Sequence, residues 1–132
     1  MSRNAEVVRA AFESWNEGDW EGSLREAAVD IVIDNSMVEG EYRGVHHGRE
    51  EAERMFERFV EPWDSVRVEP VEVIEAGERV FAAVRGRFDG RDGIRAETRT
   101  GMCFTFADGL VTHIYMPNDV DSAREAAGLP LE

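Results

Sequence analysis

From Val66 to Met116 the chain reads as four strand-like runs in succession: VRVEPVEVIEA, RVFAAVRGRF, IRAETRTGMCFTF and LVTHIYM. Only short turn segments separate them: Gly77-Glu78, the DGRDG stretch Asp89 to Gly93, and Ala107-Asp108-Gly109 with its Asp-Gly pair. No other feature constrains the fold as strongly. Connections this short leave no room for crossover helices, so successive strands pair antiparallel. Pro70 lies inside the first run and assigns that strand to an edge or to a bulge.

The first half carries the helices. Val8, Ala11, Phe12 and Trp15 recur at three- and four-residue spacing and predict a helix over Ala5 to Asn16, with Asn4 as N-cap. Gly18 suits the left-handed position that ends it, and Asp19 suits the cap of a second helix over Trp20 to Ala28. Asp30 to Asn35 is rich in β-branched residues and reads as a short strand. Ser36 to His47 is expected to be irregular. Ala52, Met55, Phe56, Phe59 and Val60 mark a third helix from Arg49 to Val60, stopped by Pro62. A short helix over Asp121 to Ala127 closes at Gly128 and Pro130. Helices gathered ahead of consecutive antiparallel strands give an α+β class, with the helices covering one sheet face.

The 132 residues suit one domain spanning 1–132. One cysteine, Cys103, allows no internal disulfide, and the first residues lack the apolar core of a secretion signal, so a soluble cytoplasmic protein is expected. The formal net charge of −13 disfavours nucleic acid and anionic membrane as partners. All the basic side chains are arginine, a bias we ascribe to codon usage ahead of salt adaptation.

Several short words along the chain resemble one family. They are Ser14-Trp15-Asn16-Glu17-Gly18-Asp19, Tyr42-Arg43-Gly44, Glu61-Pro62-Trp63 with Val68-Glu69-Pro70, Ala76-Gly77-Glu78-Arg79-Val80, Phe104-Thr105-Phe106 with Asp108-Gly109, and Glu125-Ala126-Ala127-Gly128-Leu129. In order and spacing the chain resembles nuclear transport factor 2-like domains of the SnoaL-like, polyketide-cyclase-like branch, related to ketosteroid isomerases. The resemblance implies a cone-shaped roll, a curved sheet wrapped around the N-terminal helices, with a pocket inside and often a dimer. It does not imply one reaction, since the same fold hosts isomerases, cyclases, dehydratases and binders. Carried over position by position, the isomerase general base falls on Asn35, the oxyanion-hole tyrosine on Ala11 and the oxyanion-hole acid on Met102. None of the three can play its part: an amide is a poor proton acceptor, and Ala and Met donate no hydrogen bond.

Strand alternation nominates the pocket wall. Ile33 and Asn35 share one face. Met102 and Phe104 share a face with Thr98, Thr100 and Phe106. Val84, Phe88, Ile114, Met116 and Asn118 follow by the same alternation. Phe12, Trp15, Met55 and Phe59 come from the helices, with Trp63 at the rim. These side chains either fill a core or line an apolar pocket with Asn35 and Asn118 as polar handles. The opposite face carries Arg85, Arg87, Arg95, Glu97, Arg99, Cys103, Thr105, His113 and Tyr115. It is either solvated or a homodimer interface.

His46 and His47 stand between Gly44 and Gly48. Neighbours on an extended turn point apart, and no third ligand has suitable spacing, so no metal is expected. Two readings remain. One makes them turn residues, with His47 or Gly48 capping the third helix. The other makes one of them a catalytic base oriented by Asp34 or Glu39. Asp119 and Asp121 read either as bases at a pocket mouth or as caps of the last helix. Together these features lead to a protein that binds a small apolar or amphipathic molecule. Cofactor-independent acid–base catalysis of isomerase, cyclase or hydratase type is one extension, and a non-catalytic binding or assembly module is the alternative.

Overall fold

The computed structural model describes residues 3–36 and 43–131. Helix α1 spans Arg3–Asn16 and buries Val8 and Phe12. Asn4 therefore stands within its first turn. Gly18 takes φ +77°, which ends the helix without a Cβ clash. Asp19 caps α2, accepting a hydrogen bond from Gly22 N at 2.9 Å. Helix α2 covers only Trp20–Ser23, and strand β1 already runs from Ala27–Asp34. The expected continuation of α2 to Ala28 is overridden by long-range pairing. Val111 N donates to Glu26 O at 2.9 Å, and the Arg49 guanidinium donates to Ala27 O.

Strand β2 is Val45–His47, a short element where sequence reading expected none. Helix α3, Arg49–Val60, follows a Gly48 cap at φ +89°. Then come β3 (Trp63–Ala76), β4 (Arg79–Gly90), a single 3-10 turn over Arg91–Gly93, β5 (Arg95–Ala107), β6 (Leu110–Tyr115) and α4 (Val120–Ala126). Asp119 caps α4 through Ser122 N at 2.7 Å, so the capping role is the one realised.

The strands form one sheet in the order β2-β1-β6-β5-β4-β3. All pairs are antiparallel except β1 with β6, which are parallel. Pro70 lies at a register shift in edge strand β3, as its missing N–H requires. The concave face packs α1 and α3 over a core that includes Val8, Phe12, Ile31, Ile33, Val84, Phe104 and Phe106.

The convex face is not left open. Helix α4 packs there on Phe81, Ala83 and Cys103, through Ala123 and Ala127. Tyr115, expected as an exposed interface residue, is half-buried against this second cluster. Arg124 is buried, with its guanidinium 5.2 Å from the Phe81 ring centre and Nε donating to Pro130 O at 2.9 Å. Gly101 makes the approach possible: a Cβ there would sit 2.7 Å from Ala123 Cβ. The first-half helices share one face as expected, and the opposite face, expected to be either solvated or a dimer interface, is covered in part by the C-terminal helix.

Candidate ligand cavity

Between the concave face and the helices lies a cavity of about 720 Å³. Its wall follows from two periodicities. On β1, Ile31 and Ile33 alternate inward, and Asn35 just past its end also lines the space; on β5, Thr98, Thr100, Met102 and Phe104 do so. On α1, Val7, Ala11, Ser14 and Trp15 form one helical stripe along the same space. Phe12, Met55, Phe59, Val84, Phe88, Ile114 and Met116 also line it. Asn118 does not; it is exposed, and Pro117 lines the wall instead. Strand β6 ends at Tyr115, so the alternation that nominated Asn118 no longer holds there.

Aromatic rings stiffen one side. Trp15 meets Phe56 and Phe59 at centroid distances of 6.1 Å, Phe59 meets Phe88 at 5.7 Å, and Trp63 meets Phe88 at 5.2 Å. Trp63 itself stays behind Phe88 and off the wall. Tilted and edge-on pairs of this kind hold one another's rotamers and add to simple area burial. The three isomerase-type positions, Ala11, Asn35 and Met102, all stand on the wall. Asn35 is 8% exposed, and its backbone N–H donates to Gly44 O at 2.8 Å.

The histidines lie elsewhere. The β1–β2 register pairs Ile33 with His46 and Val32 with His47, so the two imidazoles leave opposite faces of the sheet. Neither is on the cavity wall. His46 Nδ1 is 3.2 Å from Glu51 Oε1 on α3, and its side chain is 19% exposed. Glu51 is thus a carboxylate beside His46, whereas Asp34 Oδ1 accepts from Ser36 N and Ser36 Oγ. Glu39 lies outside the described residues. Among the described residues no three His, Cys, Asp or Glu side chains gather at one point. No described helix is long and apolar enough to cross a membrane.

Sequence reading missed a group of charged wall residues: Arg3, Glu6, Arg25 and Glu26. Arg3 bonds Glu26 Oε2 at 3.1 Å and Gly109 O at 2.9 Å. The α1 stripe, extended backwards from Ala11 through Val7, arrives at Arg3. The signal was present at helical spacing but carried by a charged residue.

Electrostatic perturbation sits away from the cavity. On the convex face Glu97 accepts from Arg85 Nε and Nη2 at 2.9 and 2.6 Å. That hydrogen bond, then the charge of Arg85, holds the Glu97 carboxyl below its usual range. Burial beneath α4 pushes the Cys103 thiol up, against a smaller opposing effect of Arg79.

The elements form a cone-shaped α+β roll around an apolar cavity. The SnoaL-like domain family matches residues 8–114, and the chain belongs to that family. None of the curated proteins matches the sequence. Among solved structures, TerC co-crystallised with polyporic acid is similar at 22% identity and a TM-score of 0.79, over 96% of this chain and 99% of that one. A nuclear transport factor 2-like protein of unknown function from Burkholderia pseudomallei shares 26% identity with a TM-score of 0.78, over 95% and 97%. A Mycobacterium tuberculosis protein in complex with estradiol-17β-hemisuccinate shares 17% identity with a TM-score of 0.76, over 92% and 97%.

Proposed function

We propose that this chain binds a small apolar or amphipathic molecule in the cavity, without isomerase-type proton transfer. One observation supports the reading: Ala11, Asn35 and Met102, the positions onto which the resemblance carries the isomerase groups, line an apolar space of about 720 Å³. That volume lies within the range of small-molecule sites. Met102 and Met116 supply an adaptable lining. TerC with polyporic acid and the M. tuberculosis protein with a steroid ester illustrate ring compounds held by this fold. Native mass spectrometry of freshly purified protein tests the reading. A co-purified small molecule, lost in Met102→Trp, is expected; apo protein over repeated preparations counts against a constitutive ligand.

A second reading keeps acid–base catalysis, of isomerase, cyclase or hydratase type. The His46–Glu51 contact favours it, because a histidine base needs an orienting partner. His46 shares the concave face of its register partner Ile33 but stands outside the cavity lining, so this reading requires its ring to turn into the cavity. Loss of turnover in His46→Ala with binding retained would support it.

We further propose that two copies meet face to face through the open half of the convex sheet. Register partners there form two charged rows, Arg67–Arg87–Glu97 and Glu69–Arg85–Arg99. Turned over about an axis along the strands, each row meets itself reversed. Arg67 then faces a second Glu97, and Glu69 faces a second Arg99. Light scattering on Arg67→Glu, expected monomeric, against a dimeric parent tests this. The lone cysteine and the net charge of −13 favour a cytoplasmic setting with no nucleic-acid partner.

A further inference from the structure

The cavity is long and its ends differ. Its wall includes Arg3 and Trp15 near the two ends of α1, and Ala27 and Asn35 near those of β1. Twelve residues of helix rise about 18 Å. A volume of about 720 Å³ spread over that length leaves a bore about 7 Å wide, enough for an extended chain or a single file of rings. Every charged residue on the wall belongs to one end: Arg3, Glu6, Arg25 and Glu26. The other end carries the neutral polar groups Asn35, Thr98 and Thr100.

At the charged end the ionic inventory is uneven. Arg3 bonds Glu26 and stands one helical turn before Glu6. Arg25 is exposed and holds no ion pair or side-chain hydrogen bond among the described residues. A free guanidinium beside an apolar channel suits a carboxylate, which it engages through two parallel N–H donors.

Resting on the ligand-binding reading above, we propose that the ligand is a slender acidic amphiphile. Its apolar body lies along α1 and β1, its carboxylate sits at Arg25 at the Arg3–Glu26 end, and any further polar group it bears is neutral and lies towards Asn35.

Calorimetric titration of the full chain with dodecanoic acid, 1-dodecanol and dodecyltrimethylammonium, each below its micelle concentration, tests this. The acid is expected to bind about ten-fold tighter than the alcohol, the gain of a charge-assisted pair. Arg25→Gln is expected to bring the acid within about two-fold of the alcohol measured on the same variant. Equal binding of acid and alcohol, a preference that survives Arg25→Gln, or tightest binding of the ammonium compound would overturn the acidic-end assignment and leave cavity binding standing. Absence of binding by all three probes would overturn both.

Discussion

The carboxamide of Asn16 pairs with the backbone of Val68 in both directions. Nδ2 donates to the Val68 carbonyl at 2.7 Å, and Oδ1 accepts from the Val68 N–H at 2.8 Å. Val68 lies on edge strand β3, so the side chain occupies the place of a neighbouring strand. It also fixes the C-terminal end of α1, and with it Trp15, against the sheet. This explains why Asn16 belongs to a recurrent word rather than to an ordinary helix end.

Asn16→Ala leaves a half-buried donor and acceptor unpaired, and each costs about 1–2 kcal/mol. The expected loss is therefore about 2–4 kcal/mol in urea denaturation, where stability falls linearly with denaturant. Asn16→Asp keeps the acceptor and is expected to lose less. Equal stability of Asn16→Ala and the parent would show that the clamp is redundant.

Gly101 holds α4 to the convex face by having no side chain. Gly101→Val drives a branched side chain into Ala123 and into the Val120 backbone, which a methyl alone would meet at 2.7 and 3.0 Å. Overpacking of this kind costs about 1–3 kcal/mol. The melting temperature is expected to fall, and Cys103, which α4 covers, should become accessible to thiol reagents at the same time. A lower melting temperature without new thiol reactivity would place the damage elsewhere.

Cys103 is expected to resist iodoacetamide in the native protein at pH 8 and to react fully once unfolded. Burial raises its folded-state pKa, so the neutral thiol is the form the fold favours. The sign follows from linkage. The contribution is fully present below the unfolded thiol value of about 8.5 and is lost as pH rises through the higher folded value. Cys103→Ala should therefore lose stability less steeply than the parent across that alkaline window. Parallel curves would contradict it.

Neither histidine is expected to govern ligand retention. His46→Ala and His47→Ala should keep the parent's co-purified mass spectrum, because both imidazoles lie off the wall. His46→Ala loses its partly exposed contact with Glu51, worth about 0.2–1 kcal/mol. Ligand loss in His46→Ala would move that side chain into the site.

Local pattern made much of this legible. The alternation on β5 and the stripes of α1 and α3 were readable from local pattern, although β4 is buried on both faces from Val80 to Val84. The same rule placed Met102 and Phe104 on the cavity wall. What escaped was set by distant pairing. The end of α2 depends on Val111 and Arg49 recruiting Glu26 and Ala27, and β2 exists because Ile33 and Val32 pair with the histidines. The site of α4 depends on the absence of a Cβ at Gly101, which hydrophobic periodicity does not register. The charged end of the cavity was hidden because apolar pattern searches stop at the first arginine.

The parallel pairing of β1 with β6 joins residues Val32 and His113, 81 positions apart in the chain. While a ribosome is still making this protein, β1 has no neighbour on that side until Leu110 to Tyr115 have been synthesised. Pairings of such long sequence separation form slowly, since the loop must close before the contact rewards it. The concave wall is therefore assembled late, and the aromatic residues of α1 and α3 must wait, exposed, for the last strand to arrive.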